Sequence, residues 1–578
     1  MDKAGTAEAC APLAGSEQIT VATVPAAKQS FCSSVLGWLP LAYREELWHV
    51  LRLTGPLLIS RILNFLLPFV TTIFCGHLGN AELAGYALAS ATINVTTTAT
   101  GCGLALACDT LVSQTFGSKN LKRVGEILQR SILILSLFCL PCWAILINAE
   151  SILLSMKQAP EVARIAQLYV MAFLPAVPAM FLHYLQVSYL QNQGIILPQM
   201  FTAAAANVLN LATNYILLHS LKLGVIGSAM ANSLSQISIC LLLFIYIRVK
   251  KLHVKTWDGW STSALQEWGS YMKLAIPSTL MVCFEWWIYE IGGFLAGMLG
   301  EVDLAAQHVL LEIGSIAYMF PLGVHAAACV RVGNALGAGD TNRALITRFL
   351  AVFQGIVMAL TRSELGKIFT SDASIVAIVA KNLQLFIFLQ FFDAAVSDIS
   401  VVFQCVCSGI LLGAGKQKIA ALSNLICYYC IGLPVGISLM FLAELRILGL
   451  WLGLLICVII QACFFTTLIF KLNWKKATEQ AQLTGDSSEV AYVQVSSREQ
   501  EKSAVESECG EVKALLSVKQ LVLRRGLALL STVLILIAGV TVHLICPLPQ
   551  AFIHSQSNLT VDFMNFSTPL NPLNLTLI

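Results

Sequence analysis

Met281-Val-Cys-Phe-Glu-Trp-Trp-Ile-Tyr-Glu-Ile-Gly292 places two carboxylates, Glu285 and Glu290, inside an apolar run from Tyr271 to Leu299. A helix of that length crosses a bilayer, where an unpaired carboxylate is costly and marks a pathway for protons or cations. Helical spacing sets Glu285 and Tyr289 on one face and Trp286 and Glu290 on an adjoining one. Each acid thus has an aromatic ring one turn away, a pairing suited to an organic cation. The acids are rotated by about 140° from each other, which predicts different surroundings and different tasks. The competing reading is an acid at the membrane boundary paired with Lys or Arg.

Composition agrees with a membrane class. The 578 residues are 57% hydrophobic and 12% charged, with mean hydropathy +0.76. A soluble chain carries about twice that charge, so the chain is expected to be an all-α polytopic membrane protein. A net charge of +3 without a basic, aromatic-rich patch predicts no nucleic-acid partner. Most of the 18 cysteines, among them Cys102, Cys108, Cys240 and Cys463, sit in apolar runs and read as small hydrophobes. No Cys/His spacing suits a metal, and Cys139 and Cys142 are not expected to form a disulfide.

Hydropathy places thirteen helices near 51–74, 84–107, 130–148, 165–190, 198–218, 224–247, 271–299, 304–330, 346–360, 375–404, 419–441, 447–470 and 526–545. Connections after even-numbered spans carry Lys119, Lys122 and Arg123; Arg248, Lys250, Lys251 and Lys255; Arg331, Arg343 and Arg348; Lys416 and Lys418; and Lys471, Lys475 and Lys476. Odd connections carry acids such as Glu82, Glu150, Glu301 and Asp303. The excess of base assigns the even connections and the N-terminal tail, 1–44, to the cytoplasm. That tail lacks the pattern of a signal peptide. The tail at 546–578 then faces outward, consistent with glycosylation candidates at Asn558, Asn565 and Asn574. Residues 473–525 read as a disordered cytoplasmic linker to the last helix.

The chain repeats itself. Pro56 and Pro277, Gly79 and Gly300, Leu83 and Leu304, and Ala84 and Ala305 match at an offset of 221. Ser113-Gln-Thr-Phe-Gly117 matches Gly333-Asn-Ala-Leu-Gly337 at 220, and Leu223-Gly-Val-Ile-Gly227 matches Leu445-Arg-Ile-Leu-Gly449 at 222. Six spans separate the copies, so the repeat is parallel: a six-helix bundle over 45–250, a second over 251–472, and a thirteenth helix at 526–545. Substrate sites in such layouts lie between the halves. Asn64, Phe65 and Phe69 stand where the second half has Glu285, Trp286 and Glu290. Acidic chemistry is therefore expected in the second bundle, with Glu312 and Asp393 added and Asp398 a weaker candidate. Periodicity alone reads Tyr318 as core packing.

Phe74-Cys-Gly-His-Leu-Gly79, Cys108-Asp-Thr-Leu-Val-Ser-Gln114, Gln191-Asn-Gln-Gly194, Glu285-Trp-Trp-Ile-Tyr-Glu290, Val330-Arg-Val-Gly-Asn-Ala-Leu-Gly-Ala-Gly339 and Leu472-Asn-Trp-Lys-Lys476 resemble the animal branch of the multidrug and toxin extrusion family. The resemblance covers about residues 45 to 545. It implies two six-helix bundles around a cleft, a further C-terminal helix, and exchange of protons for organic cations. It implies that Glu285 and Glu290 are the essential acids, that Trp286 and Tyr289 line the site, and that Asn94 is a polar partner; Glu312 and Tyr318 also match functional positions. Three positions depart from the branch. Leu311 stands where Tyr is usual, Asp393 replaces Glu, and Arg61 replaces an uncharged polar residue, where it is expected to snorkel or pair with an acid. The ninth span offers only about 15 apolar-compatible residues, roughly 22 Å of helix against about 30 Å of hydrocarbon.

Carboxylate energetics suggest the mechanism. A desolvated carboxylate holds a proton or faces a cation, and doing both is disfavoured. Competition at Glu285, tuned by Glu290, would couple the two flows in a monomeric plasma-membrane exporter of small organic cations, expected at the apical surface of secretory epithelium. The proton gradient is the only driving cofactor expected. A sodium-coupled exporter or a lipid-linked substrate flippase would share the architecture, but a flippase for acidic lipids needs a basic cleft and only Arg61 is available. An enzyme or channel finds no GxSxG, HExxH or pore-loop signature.

Overall fold

The computed structural model describes residues 41–299, 301–348, 404–486 and 517–545. The expected span at 375–404, most of that at 346–360, Asp393, Asp398 and the sequon-bearing tail lie outside these residues. The first half begins with α1 (Leu41–Leu78), α2 (Asn80–Ile93), α3 (Ala99–Gly117) and α4 (Leu121–Ile147). It continues with α5 (Pro160–Phe173), α6 (Ala176–Asn192), α7 (Leu197–Tyr215) and α8 (Gly224–Val249). The second half has α9 (Trp268–Leu299), α10 (Glu301–Gly337), α11 (Gln404–Gly413), α12 (Gln417–Asn424) and α13 (Ile447–Lys471). Two more follow, α14 (Trp474–Asp486) and α15 (Val518–Ile545). Every element described is helical. Among the described residues, eight helices are long and apolar enough to cross a membrane, or nine if the bent pair α5 and α6 counts as one span. Phe201, Val208, Phe244, Ile245, Leu530 and Ile537 are exposed on α7, α8 and α15, as lipid-facing side chains must be.

Several helices outrun the hydropathy estimate. The first expected span, 51–74, is the middle of α1. The second, 84–107, continues to Gly117 through a π-helical turn at Asn94–Thr98. Polar residues such as Asp109 and Gln114 end the apolar window without ending the helix, because neighbouring helices satisfy them. The fourth span, 165–190, is two helices meeting at 59°. Pro175 caps the second and lacks the donor a continuous helix needs, and the indole of Trp143 donates to the Leu174 carbonyl at the bend at 3.0 Å.

The linker reading needs correction at both ends. Residues 474–486 are helix α14, and α15 begins at Val518, inside the stretch expected to be disordered. Trp474, Ala477, Thr478 and Ala481 are buried at helical spacing, and Thr478 shares a hydrogen bond with Thr341. Small Ala and Thr made that buried stripe too weak to stand out from the polar sequence. Helix α15, expected from the sequence as the thirteenth span, docks on α4, with Asn148 donating to the Gly539 carbonyl at 2.9 Å. Arg525 lies over the Trp268 ring at 4.3 Å and donates to the Leu265 carbonyl. All fourteen described cysteines are free, Cys139 and Cys142 among them.

The repeat is visible as geometry. The π-helical turns Ile216–Ser220 and Ser438–Leu442 start 222 positions apart, 216 against 438. At the end of the molecule that carries the basic connections, the repeated segments 113–117 and 333–337 face each other. A Cβ on Gly117 would collide with the Asn334 carbonyl, and one on Gly337 with the Gln114 carbonyl, the matching contact. Gln114 donates to the Gly413 carbonyl at 3.0 Å and its counterpart Asn334 to the Asn192 carbonyl at 3.3 Å. Ion pairs follow the same symmetry. Glu46 pairs with Arg343 at 3.1 Å and also with Arg331, whereas Glu267 pairs with Arg123 at 3.2 Å and Arg130 at 3.3 Å. Glu46 is 2% exposed and also accepts from Thr347, so this ion pair is well shielded. Each half thus sends a glutamate across to an arginine of the other.

Gly337→Ala should force these segments apart at a cost of about 1–3 kcal/mol. Amide hydrogen exchange over 110–117 and 334–338 should then speed up about tenfold. Exchange at the wild-type rate would show that the contact does not hold this end closed.

Candidate functional site

Glu285 lies in the middle of α9, between α10 and the second-half core. Apolar neighbours fix the helix there: Met281, Val282 and Cys283 are buried in one cluster and Ile288 in another. The Tyr318 hydroxyl on α10 donates to Glu285 Oε1 at 2.9 Å, and Cys405 Sγ lies 3.8 Å from that hydroxyl. Periodicity read Tyr318 as packing; its phenol instead meets the carboxylate, because α10 packs against α9 there. Tyr289 is within electrostatic reach of Glu285, as the four-residue spacing requires, and its ring packs against Cys427 and Tyr428. Trp286 packs on the neighbouring apolar cluster. Glu290 is half-buried, and no described residue gives it a hydrogen bond or ion pair. The two acids therefore do have different surroundings. Glu312 lies on α10 with its side chain outside the described set.

Asn94 opens the π-helical turn between α2 and α3, a distortion that often accompanies functional sites. Trp287 reaches this turn from α9. Its indole donates to the Val95 carbonyl at 3.2 Å and ties α9 to the Asn94 turn. Trp287 stood in the quoted motif, but nothing in spacing assigned it this bond. Asp109 was not singled out from the sequence. It is 8% exposed and accepts from Asn192 Nδ2 at 2.6 Å. An acid inside α3 was visible in the sequence, but the expected span ended at 107. Arg61 does not pair with an acid within 4 Å among the described residues. It is within electrostatic reach of Asp109 and His183.

The MatE family profile matches the chain twice, over residues 56–216 and 277–437. The chain belongs to this family. Its two matches begin 221 positions apart, 56 against 277, which is the offset of the internal repeat. Multidrug and toxin extrusion protein 1 of Danio rerio is 48% identical over 561 residues, covering 89% of this chain and 94% of the relative. The human protein of that name is 46% identical, covering 87% and 94%. Multidrug and toxin extrusion protein 2 of Mus musculus is 45% identical, covering 86% and 92%. Among solved structures, the eukaryotic MATE transporter AtDTX14 superposes with a TM-score of 0.68 at 27% identity, covering 76% of this chain and 99% of that one. Members of the family are multi-pass membrane transporters rather than enzymes. The two-bundle repeat and the lipid-facing helices are what such a transporter requires.

Replacing Asn192 with Leu should remove the 2.6 Å donor from the buried Asp109 carboxylate and cost about 1–3 kcal/mol. The thermal midpoint of purified protein should fall by several degrees, and less in Asp109→Asn. An Asn192→Leu midpoint equal to wild type would contradict this.

Proposed function

We propose that the chain is a proton-coupled exporter of small organic cations, acting as a monomer in the plasma membrane. The observation that carries the proposal is the Glu285 carboxylate, placed among apolar helices and held by Tyr318, with the Tyr289 ring one turn away. A carboxylate so placed is neutralised by a proton or by a cation, and the two compete. Cargo arriving from the cytoplasm displaces the proton; a proton arriving from outside displaces the cargo. Trp286 and Tyr289 offer faces for a delocalised cation, and Asn94 a polar contact across the site. Glu290 tunes the balance, with Glu312 and Asp393 as further candidates for proton handling.

Antiport also needs the site to open to one side at a time. The excess of Lys and Arg in the even connections supports a cytoplasmic assignment for the end where 113–117 meets 333–337. On that assignment the described state is closed toward the cytoplasm by paired glycines and by the Glu46 and Glu267 ion pairs. Opening inward breaks those contacts together, since each has a counterpart across the pseudo-axis. The three sequons support an outward-facing tail, and the family resemblance supports the apical surface of secretory epithelium.

Uptake of a fluorescent organic cation into acid-loaded proteoliposomes tests the reading. An outward proton gradient should drive uptake, an outward sodium gradient should not, and Glu285→Gln should lower the proton-driven rate at least about tenfold, the scale of one lost charged contact. Sodium-driven uptake would favour the sodium-coupled alternative. Wild-type rates in both Glu285→Gln and Glu290→Gln would remove the proposal.

A further inference from the structure

Four arginines gather where α15 leaves the basic end of the molecule. Arg123 and Arg130 on α4 are buried and share one carboxylate, Glu267, at 3.2 and 3.3 Å. Glu126 is also within electrostatic reach of Arg130, while Asp258 is taken by Lys122 at 3.1 Å. The one-turn helix Thr262–Leu265 draws the other two arginines in. Arg130 donates to its Ser263 carbonyl, and Arg525 of α15 donates through Nε to its Leu265 carbonyl at 3.0 Å. The Trp268 ring, fixed by its bond to the Ala264 carbonyl, carries the Arg525 guanidinium at 4.3 Å. Arg525 is thereby within electrostatic reach of both Arg130 and Arg524. Four guanidinium groups, none able to shed its charge, thus meet two carboxylates, Glu126 and Glu267. Donors are left over as well. Nε of Arg123 and of Arg130 is buried without a partner, and no described residue accepts from the two terminal nitrogens of Arg525. Arg524 is exposed beside it.

Sequence fixes the depth of this cluster. Residues 527–545 hold no Asp, Glu, Lys or Arg. As helix they span roughly 28 Å, about the thickness of the hydrocarbon core. Arg524 and Arg525 therefore stand at the level of the lipid headgroups. Beside them Val522, Leu523 and Leu527 are 63%, 63% and 56% exposed, a surface suited to acyl chains. On the cytoplasmic assignment of the basic end, the leaflet that meets the cluster is the one that carries anionic lipid.

We propose that Arg524 and Arg525, backed by Arg123 and Arg130, form a headgroup site for an acidic phospholipid that clamps α15 to α4 and to the 262–268 segment. Guanidinium groups hold phosphate and carboxylate oxygens through parallel, charge-assisted hydrogen bonds. Basic pockets between helices on the cytoplasmic side suit such headgroups. Arginines ahead of a span also orient its insertion, but that task needs no preference between headgroups once the protein is folded. Glu285 plays no part in the site, so a failure of the exporter reading would leave it standing.

The thermal midpoint of the purified full chain in neutral detergent, titrated with dioctanoyl phosphatidylserine or dioctanoyl phosphatidylcholine, gives an apparent Kd for each. Wild type should bind the serine lipid at least about tenfold more tightly. Arg524→Gln with Arg525→Gln should abolish that preference, since each arginine near a charged headgroup is worth about a fivefold change in affinity. Lys475→Gln with Lys476→Gln, an exposed basic pair at the same end, should keep it. Equal affinities in wild type, a preference that survives in the arginine variant, or one lost in the lysine variant would each overturn the site. Inorganic phosphate that raises the midpoint as far as the serine lipid would overturn it too, by assigning the arginines to a soluble anion. Should the double arginine variant not fold, Arg524→Gln alone leaves the stacking of Arg525 on Trp268 in place and should weaken the serine lipid about fivefold. An unchanged affinity there would overturn the proposal.

Discussion

A carboxylate inside a bundle of apolar helices has few ways to lower its free energy. Water is scarce, and the phenol of Tyr318 offers one hydrogen bond where an ionised group wants several. The remainder must come from a proton or a cation. On the proposed reading the rest of the molecule serves that constraint. Apolar clusters on either side of α9 hold Glu285 at depth. Aromatic residues one turn away suit a delocalised cation. Paired ends decide which compartment supplies the next partner.

The internal repeat explains how one molecule does both. Backbone contacts and ion pairs at the basic end obey the pseudo-symmetry closely: Gly117 and Gly337, Gln114 and Asn334, Glu46 and Glu267 play matching parts. Symmetric contacts can open together, as a gate must. Within the bundles side-chain charge breaks the symmetry, with Asn64 opposite Glu285 and Arg61 opposite Val282 at the same offset. Duplication supplied two equivalent places, and the second half fills its own with a carboxylate.

Much of this was legible in the residues. Length, hydropathy and low charge dictate a polytopic helical protein, and an offset of about 221 shows up from proline and glycine positions because those residues mark backbone geometry. Glu285 and Tyr289 were legible because an acid at lipid depth has few structural uses. Other parts were hidden for physical reasons. Asp109 lay just past an apolar window that ends where polar groups find partners on other helices. Tyr318 needed the crossing of α9 and α10, which no local spacing reports. Helix α14 hid in polar sequence because its buried face is built mainly from Ala and Thr. The π-helical turn at 94–98 leaves no mark in composition, so the bond from Trp287 could not be foreseen.

Competition at one acid is the central claim, and proton release on cargo binding tests it most directly. Purified protein in weakly buffered solution, mixed with a saturating organic cation, should release protons in wild type and none in Glu285→Gln. Wild-type binding with no proton release across pH 5 to 9, as read by a pH indicator, would contradict the account.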